Sequence, residues 1–161
     1  MARILIADDH EIVRQGIRMI LQVRPAWEIC GEAKDGQQAI QLARELSPDV
    51  IILDVSMPVL GGLVAADDIL RMNPKTKILI FTVDESKSLR TLVQKCGARG
   101  IVVKSQACRD LVEALDRLLA GNTFFDPIET IQPLVGLHGK EVRIIGTNRE
   151  TVNDPRKPEL I

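Results

Sequence analysis

Four apolar runs, each stopped by a polar or charged residue, constrain this chain most: Arg3-Ile4-Leu5-Ile6-Ala7 before Asp8, Val50-Ile51-Ile52-Leu53 before Asp54, Lys77-Ile78-Leu79-Ile80-Phe81 before Thr82, and Gly100-Ile101-Val102-Val103 before Lys104. Such runs lack the in-out alternation of a sheet with one wet face, so they read as strands covered on both faces by helices. With a further segment near 27–33, strands are predicted near 3–7, 27–33, 50–53, 78–82 and 100–103, alternating with amphipathic stretches. The expected fold class is α/β, a doubly wound five-stranded parallel sheet with five helices.

The helices follow from spacing. Ile12, Val13, Ile17, Ile20 and Leu21 are expected to face the sheet in the first, with Glu11, Arg14, Gln15 and Arg18 on the other side. A second helix is predicted over Gly36–Leu46 and stopped by Ser47-Pro48-Asp49, and a third carries Leu63, Ala66, Ile69 and Leu70 before Asn73-Pro74. The fourth, from Ser86 to Cys96, points Leu89, Leu92 and Val93 inward and ends at Gly97; the fifth carries Leu111, Val112, Leu115, Leu118 and Leu119 and closes at Gly121-Asn122. The last stripe is expected to be core, and its use as a homodimer face stays open.

In open parallel sheets ligands gather at the carboxyl ends of the strands, which is where Asp8, Asp9 and Asp54 stand. Close carboxylates repel at roughly 4 kcal/mol per pair for an effective dielectric near 20, so a cation is expected among them. Mg²⁺ fits, because it takes oxygen ligands and works with one or two carboxylates plus a phosphate. Lys104 and Thr82 add a charge and a hydrogen-bond donor at the same rim, a set suited to phosphoryl transfer with Asp54 as a carboxylate nucleophile.

Composition excludes other classes. A net charge of −1 gives no basic footprint for nucleic acid, and with Trp27, Phe81, Phe124 and Phe125 as the only aromatics there is no platform for stacking bases. No apolar run reaches the ~18 residues of a membrane span, and a strand beginning within three residues of Met1 leaves no room for a signal peptide, so a cytoplasmic location is expected. Cys30, Cys96 and Cys108 are read as buried reduced thiols, not a zinc site or disulfide framework.

The run Leu5-Ile6-Ala7-Asp8-Asp9-His10, then Asp54-Val55-Ser56-Met57-Pro58 with Gly61, then Thr82 and Lys104, resembles the receiver domain of bacterial two-component response regulators over about residues 1–122. Its Ala-Asp-Asp-His start and Gly-Asn-Thr-Phe-Phe stretch are most similar to the NarL/LuxR group. The resemblance implies the flavodoxin-like (βα)5 fold, with Asp54 as phosphoacceptor from the phosphohistidine of a sensor histidine kinase. It further implies Asp8 and Asp9 organising Mg²⁺, with Asp9, Asp54 and the Ser56 backbone carbonyl as ligands. Thr82 and Lys104 would contact the phosphoryl oxygens, while Ser56 and Asp84 flank the path of the water that removes the group. The chemistry so implied is self-phosphorylation and autodephosphorylation, not turnover of a substrate, and output passes through protein contacts.

The resemblance departs at Ile101, where receivers usually carry Tyr or Phe, and at the apolar loop Val59-Leu60-Gly61-Gly62. Residues 123–161 are expected to be a C-terminal extension and not an independent domain, with Lys140-Glu141-Val142-Arg143-Ile144-Ile145 able to add a strand or hairpin arm. No basic recognition helix is legible there, so direct DNA binding is not expected and the chain reads as a stand-alone receiver or a truncated relative. Two rivals remain: a degenerate receiver serving as a constitutive scaffold, and an Mg²⁺-dependent aspartyl-phosphate phosphatase, which would ordinarily show Asp-x-Asp where Asp54-Val55-Ser56 stands.

Overall fold

The computed structural model describes residues 1–125, and the arm expected at Lys140–Ile145 lies outside them. In chain order the elements are β1 (Ala2–Ala7), α1 (Glu11–Leu21), β2 (Trp27–Ala33), α2 (Gly36–Leu46), β3 (Val50–Asp54), α3 (Gly62–Met72), β4 (Lys77–Thr82), α4 (Lys87–Lys95), β5 (Gly100–Val103) and α5 (Ala107–Leu119). All strands are parallel in the order β2-β1-β3-β4-β5, the doubly wound arrangement expected. After Thr123, Phe124 bridges to Gly100 at the start of β5.

Side-chain alternation along the strands splits the core into two layers. Ile4, Ile6, Ile52, Leu79 and Phe81 meet Ile17 and Leu21 of α1 and Leu111, Leu115 and Leu118 of α5. The opposite faces, through Leu5, Ile51, Leu53, Ile78 and Ile80, meet Ala39 and Ala43 of α2, Ala66 and Ile69 of α3, and Leu89 and Val93 of α4. Each fully buried Leu or Ile stabilises the fold by about 1.5–3 kcal/mol relative to exposure. Small residues on α2 and α3 let those helices approach the sheet closely.

Local signals set the helix ends. Asp35 accepts from the Gln38 N–H at 2.8 Å, and the Gln38 side-chain oxygen accepts from the Lys34 N–H at 2.8 Å, satisfying two donors at the start of α2. Ser86 caps α4 through the Leu89 N–H at 3.2 Å. Gly97 and Gly121 stop α4 and α5 with φ of 86° and 88°, as their positions predicted.

Three helix-face assignments need correction. On α1 the buried stripe is Arg14, Ile17 and Leu21, while Ile12 is 74% exposed because it projects about half a turn away from that stripe. Arg14, expected to face solvent, is 3% exposed. On α4, Leu92 flanks the Leu89–Val93 seam and is 52% exposed. The thiol expectation also shifts: Cys30 and Cys96 are half-buried and Cys108 is exposed, all of them unpaired in disulfides. Among the described residues no helix is long and apolar enough to cross a membrane, and every α-helix follows a strand of the sheet.

Candidate functional site

The sheet changes direction at β1, which pairs with β2 on one side and β3 on the other. This switch point opens a crevice at the carboxyl ends of the strands. Ala7 pairs with Leu53 and Asp54 with Phe81, so the residues that follow β1 emerge beside the end of β3. Thr82 pairs with Val103, which places Lys104 at the same rim. Strand register thus assembles the site before any side chain is considered.

Asp8, Asp54 and Thr82 are 1%, 3% and 1% exposed. The Lys104 ammonium lies 2.6 Å from Asp8 Oδ2 and 3.2 Å from Asp54 Oδ2, joining the two carboxylates across the crevice. It also sits 5.8 Å from the centre of the Phe81 ring. Burial raises the Asp54 carboxyl above its ordinary range; Lys104 opposes that, Asp8 adds to it, and the Ser56 backbone N–H stabilises the charged form. Lys104 therefore offsets a cost of charge burial that it does not abolish.

Asp9 joins from the other direction. Asp8 Oδ1 accepts from the His10 N–H at 2.9 Å, and His10 Nδ1 is 3.3 Å from that oxygen and 2.9 Å from Asp9 Oδ1. Ligand atoms of Asp8, Asp9 and His10 all fall within 4.8 Å of one another, and no other described cluster of His, Cys, Asp or Glu does so. Asp54 thus meets Asp8 through Lys104, whereas Asp9 meets it through His10. Ser56 is exposed in the loop directly after β3.

Whether this set suits a cation is decided by Asp8 Oδ2 and Asp9 Oδ1, two buried oxygens without a hydrogen-bond donor. The Lys104 ammonium at 2.6 Å faces the first and the His10 ring nitrogen at 2.9 Å the second, neither as a directed hydrogen bond. Buried carboxylate oxygens of this kind are costly unless electropositive groups meet them, and a hard divalent ion with oxygen ligands can share that role with Lys104. The residues present fit Mg²⁺.

Thr82 Oγ1 accepts from the Asp84 N–H at 3.1 Å, which leaves its own proton to donate. Asp84 is exposed, and its carboxylate accepts from the Ser86 N–H at 2.7 Å ahead of α4. Ile101 is 6% exposed and packed with the core layer of Ile80, Leu89 and Val93. Trp27 begins β2 and so stands at the end of the sheet away from the acids.

Two features escaped the sequence reading. A side chain at Gly62 would collide with the Asp54 carbonyl oxygen, and the Gly62 N–H donates to Val55 O at 2.9 Å, so α3 begins pressed against the backbone of Asp54. Its signal was the Gly61-Gly62 pair, read only as loop. The other is Arg14, whose side chain donates to the Asp8 carbonyl at 2.7 Å. Hydrophobic periodicity has no symbol for a buried cation, so nothing distinguished it from its solvent-facing neighbours.

The family profile described as "Response regulator receiver domain" matches residues 4–116. The chain is 36% identical over 127 residues to "Response regulator GacA" of Pseudomonas aeruginosa, covering 79% of this chain and 59% of that protein. It is 36% identical over 154 residues to "Oxygen regulatory protein NreC" of Staphylococcus carnosus, covering 95% and 69%. It spans between 53% and 60% of the length of the GacA and DegU regulators it matches. Among solved structures, a LuxR-family two-component response regulator from an Aurantimonas species superposes with a TM-score of 0.75 at 36% identity, covering 79% of this chain and 91% of that one. The isolated REC domain of RcsB from Salmonella enterica serovar Typhimurium, determined with the phosphomimetic BeF3⁻, gives 0.73 at 32% identity over 78% and 94%.

Proposed function

The chain belongs to the response regulator receiver family, and on that premise we propose that it is a phosphorylation-controlled signalling module in which Asp54 accepts a phosphoryl group from the phosphohistidine of a sensor kinase. What supports the reading is the Lys104 ammonium held between Asp8 and Asp54, because a buried carboxylate flanked by a movable cation is the arrangement a transferred anion needs. An oxygen of Asp54 forms the new bond to phosphorus as the bond from phosphorus to the imidazole nitrogen breaks, and the imidazole leaves with the electron pair. Lys104 neutralises the equatorial oxygens, and Thr82 donates its hydroxyl proton to one of them.

Asp9, Asp54 and the Ser56 carbonyl would hold Mg²⁺ with Asp8 behind them, and the ion would supply screening of the charge that gathers between donor and acceptor. Asp84 and Ser56 stand by the path of the hydrolytic water. The protein acts on itself and not on a turned-over substrate, passing its state through contacts with other proteins or with a second copy of itself. Neither a membrane nor DNA bound directly by this chain enters the scheme.

Mass measurement after incubation with Mg²⁺ and acetyl phosphate tests it. One added phosphoryl group is expected, absent in Asp54→Asn; labelling of Asp54→Asn at the wild-type rate would reject the assignment. An unchanged wild-type mass would leave the constitutive scaffold, and repeated turnover of a small phosphomonoester the phosphatase.

A further inference from the structure

Arg14 is the most deeply buried cation among the described residues, 3% exposed on the inward stripe of α1 beside Ile17 and Leu21. An aliphatic side chain would fill such a place at lower cost, since a buried charge forfeits its hydration and needs full pairing to make up for it. The guanidinium is paired on three sides. It donates from Nη1 to the Asp8 carbonyl at 2.7 Å, from Nε to Glu32 at 2.9 Å, and from Nη2 to Glu11. Arg18 then binds the second oxygens of the same two carboxylates, closing a ring of two cations and two anions around the fork. The ring is neutral, so Arg14 acts on its surroundings by direction more than by net charge.

That direction is specific. The Asp8 carbonyl belongs to the peptide plane that joins Asp8 to Asp9, while the Asp8 N–H, in the preceding Ala7–Asp8 plane, donates to Ala33 O at 3.1 Å at the carboxyl end of β2. Rotating this plane would swing both carboxylates, including the two buried oxygens that lack a directed hydrogen bond. We propose that Arg14 is a positioning residue for the acid pair: by clamping the Asp8–Asp9 peptide against the carboxyl end of β2 it sets the affinity of the rim for a divalent cation. The proposal rests on the receiver reading above.

Calorimetric titration with Mg²⁺, paired with the rate of phosphorylation by acetyl phosphate, tests it. Groups that orient ligands from behind change metal affinity by 10–100-fold when removed. In Arg14→Met the Mg²⁺ dissociation constant should therefore rise about tenfold or more, while the rate at saturating Mg²⁺ stays within about twofold of wild type. Leu118→Ala, which weakens packing at the far end of α5, should lower the melting temperature and leave the dissociation constant in place. If Arg14→Met does not fold, Arg14→Lys decides, since it keeps the charge but cannot fork between the carbonyl and Glu32; at least a threefold rise is expected, in line with partial loss of a ligand-orienting group. An unchanged dissociation constant in whichever Arg14 variant folds would overturn the proposal. A wild-type protein that takes up no Mg²⁺ would overturn the receiver reading itself.

Discussion

Replacing Lys104 by Met removes the one ammonium that faces both buried carboxylates. At 2.6 Å and 3.2 Å its attractions to Asp8 and Asp54 are about 6 and about 5 kcal/mol for an effective dielectric near 20. Much of this is spent on desolvating the lysine, which is 16% exposed. The net loss on stripping one partner from a buried ion pair is about 3–5 kcal/mol, and that is the fall in unfolding free energy expected near pH 7 in EDTA. Two changes should restore stability. Asp54 already carries a raised pKa from burial, and an acid whose folded pKa exceeds its unfolded value holds its proton more tightly in the folded state. Lowering the pH through that raised value, toward the ordinary 3.8, should accordingly shrink the deficit. Mg²⁺ should do the same at neutral pH: at about 100 times its dissociation constant a ligand adds about 2.7 kcal/mol, and the variant should gain more than wild type because no ammonium competes for Asp8. Urea unfolding at several pH values, with and without Mg²⁺, measures all three quantities. A deficit below about 1 kcal/mol that neither acid nor Mg²⁺ alters would show that the three groups are not coupled as described.

Asp54→Asn should stabilise the fold by on the order of 1 kcal/mol at pH 7 by removing a buried charge, and the gain should fade as the pH falls from the raised Asp54 value to 3.8. Melting curves across that range check it; a gain persisting at lower pH would exclude burial of charge as its origin. Gly62→Ala should cost about 2 kcal/mol or more in urea unfolding, because the atom its methyl meets is the Asp54 backbone oxygen and cannot swing aside. Val59 holds φ of 65°, a conformation β-branched residues rarely adopt, so Val59→Gly should raise unfolding free energy by about 1 kcal/mol after the entropy of the added glycine is deducted. A lower melting temperature in Val59→Gly would show that contacts of the valine outweigh its backbone strain.

Four of the five strands were legible because burial on both faces leaves a mark at nearly every position, as in β3, where all of Val50–Asp54 is buried; the outer strand β2, buried only at Ala33, carries no such run. The same pattern marked the rim, since a carboxylate interrupting such a run has few places to be except its end. Ile12, Arg14 and Leu92 were misplaced for a related reason. A helix shows its inward face only through apolar spacing, and α1 spends one of its inward positions on a guanidinium whose partners, Glu11, Glu32 and the Asp8 carbonyl, are gathered by tertiary structure. The link between Asp9 and His10 was likewise invisible, because it depends on how the chain turns after β1.

Strand β5 is an outer member of the sheet, laddered to β4 along one side, and at its first residues the Ile101 N–H donates to Phe124 O while Phe124 N–H donates to Arg99 O. Lys104 sits at the opposite tip, some 13 Å of extended chain away at the usual rise per residue. The ammonium and the outgoing polypeptide therefore ride on one short rod with no helix intervening. Lys104 thus hangs from a strand with one strand neighbour, whereas β1, laddered to β2 and to β3, carries the acids from the interior of the sheet.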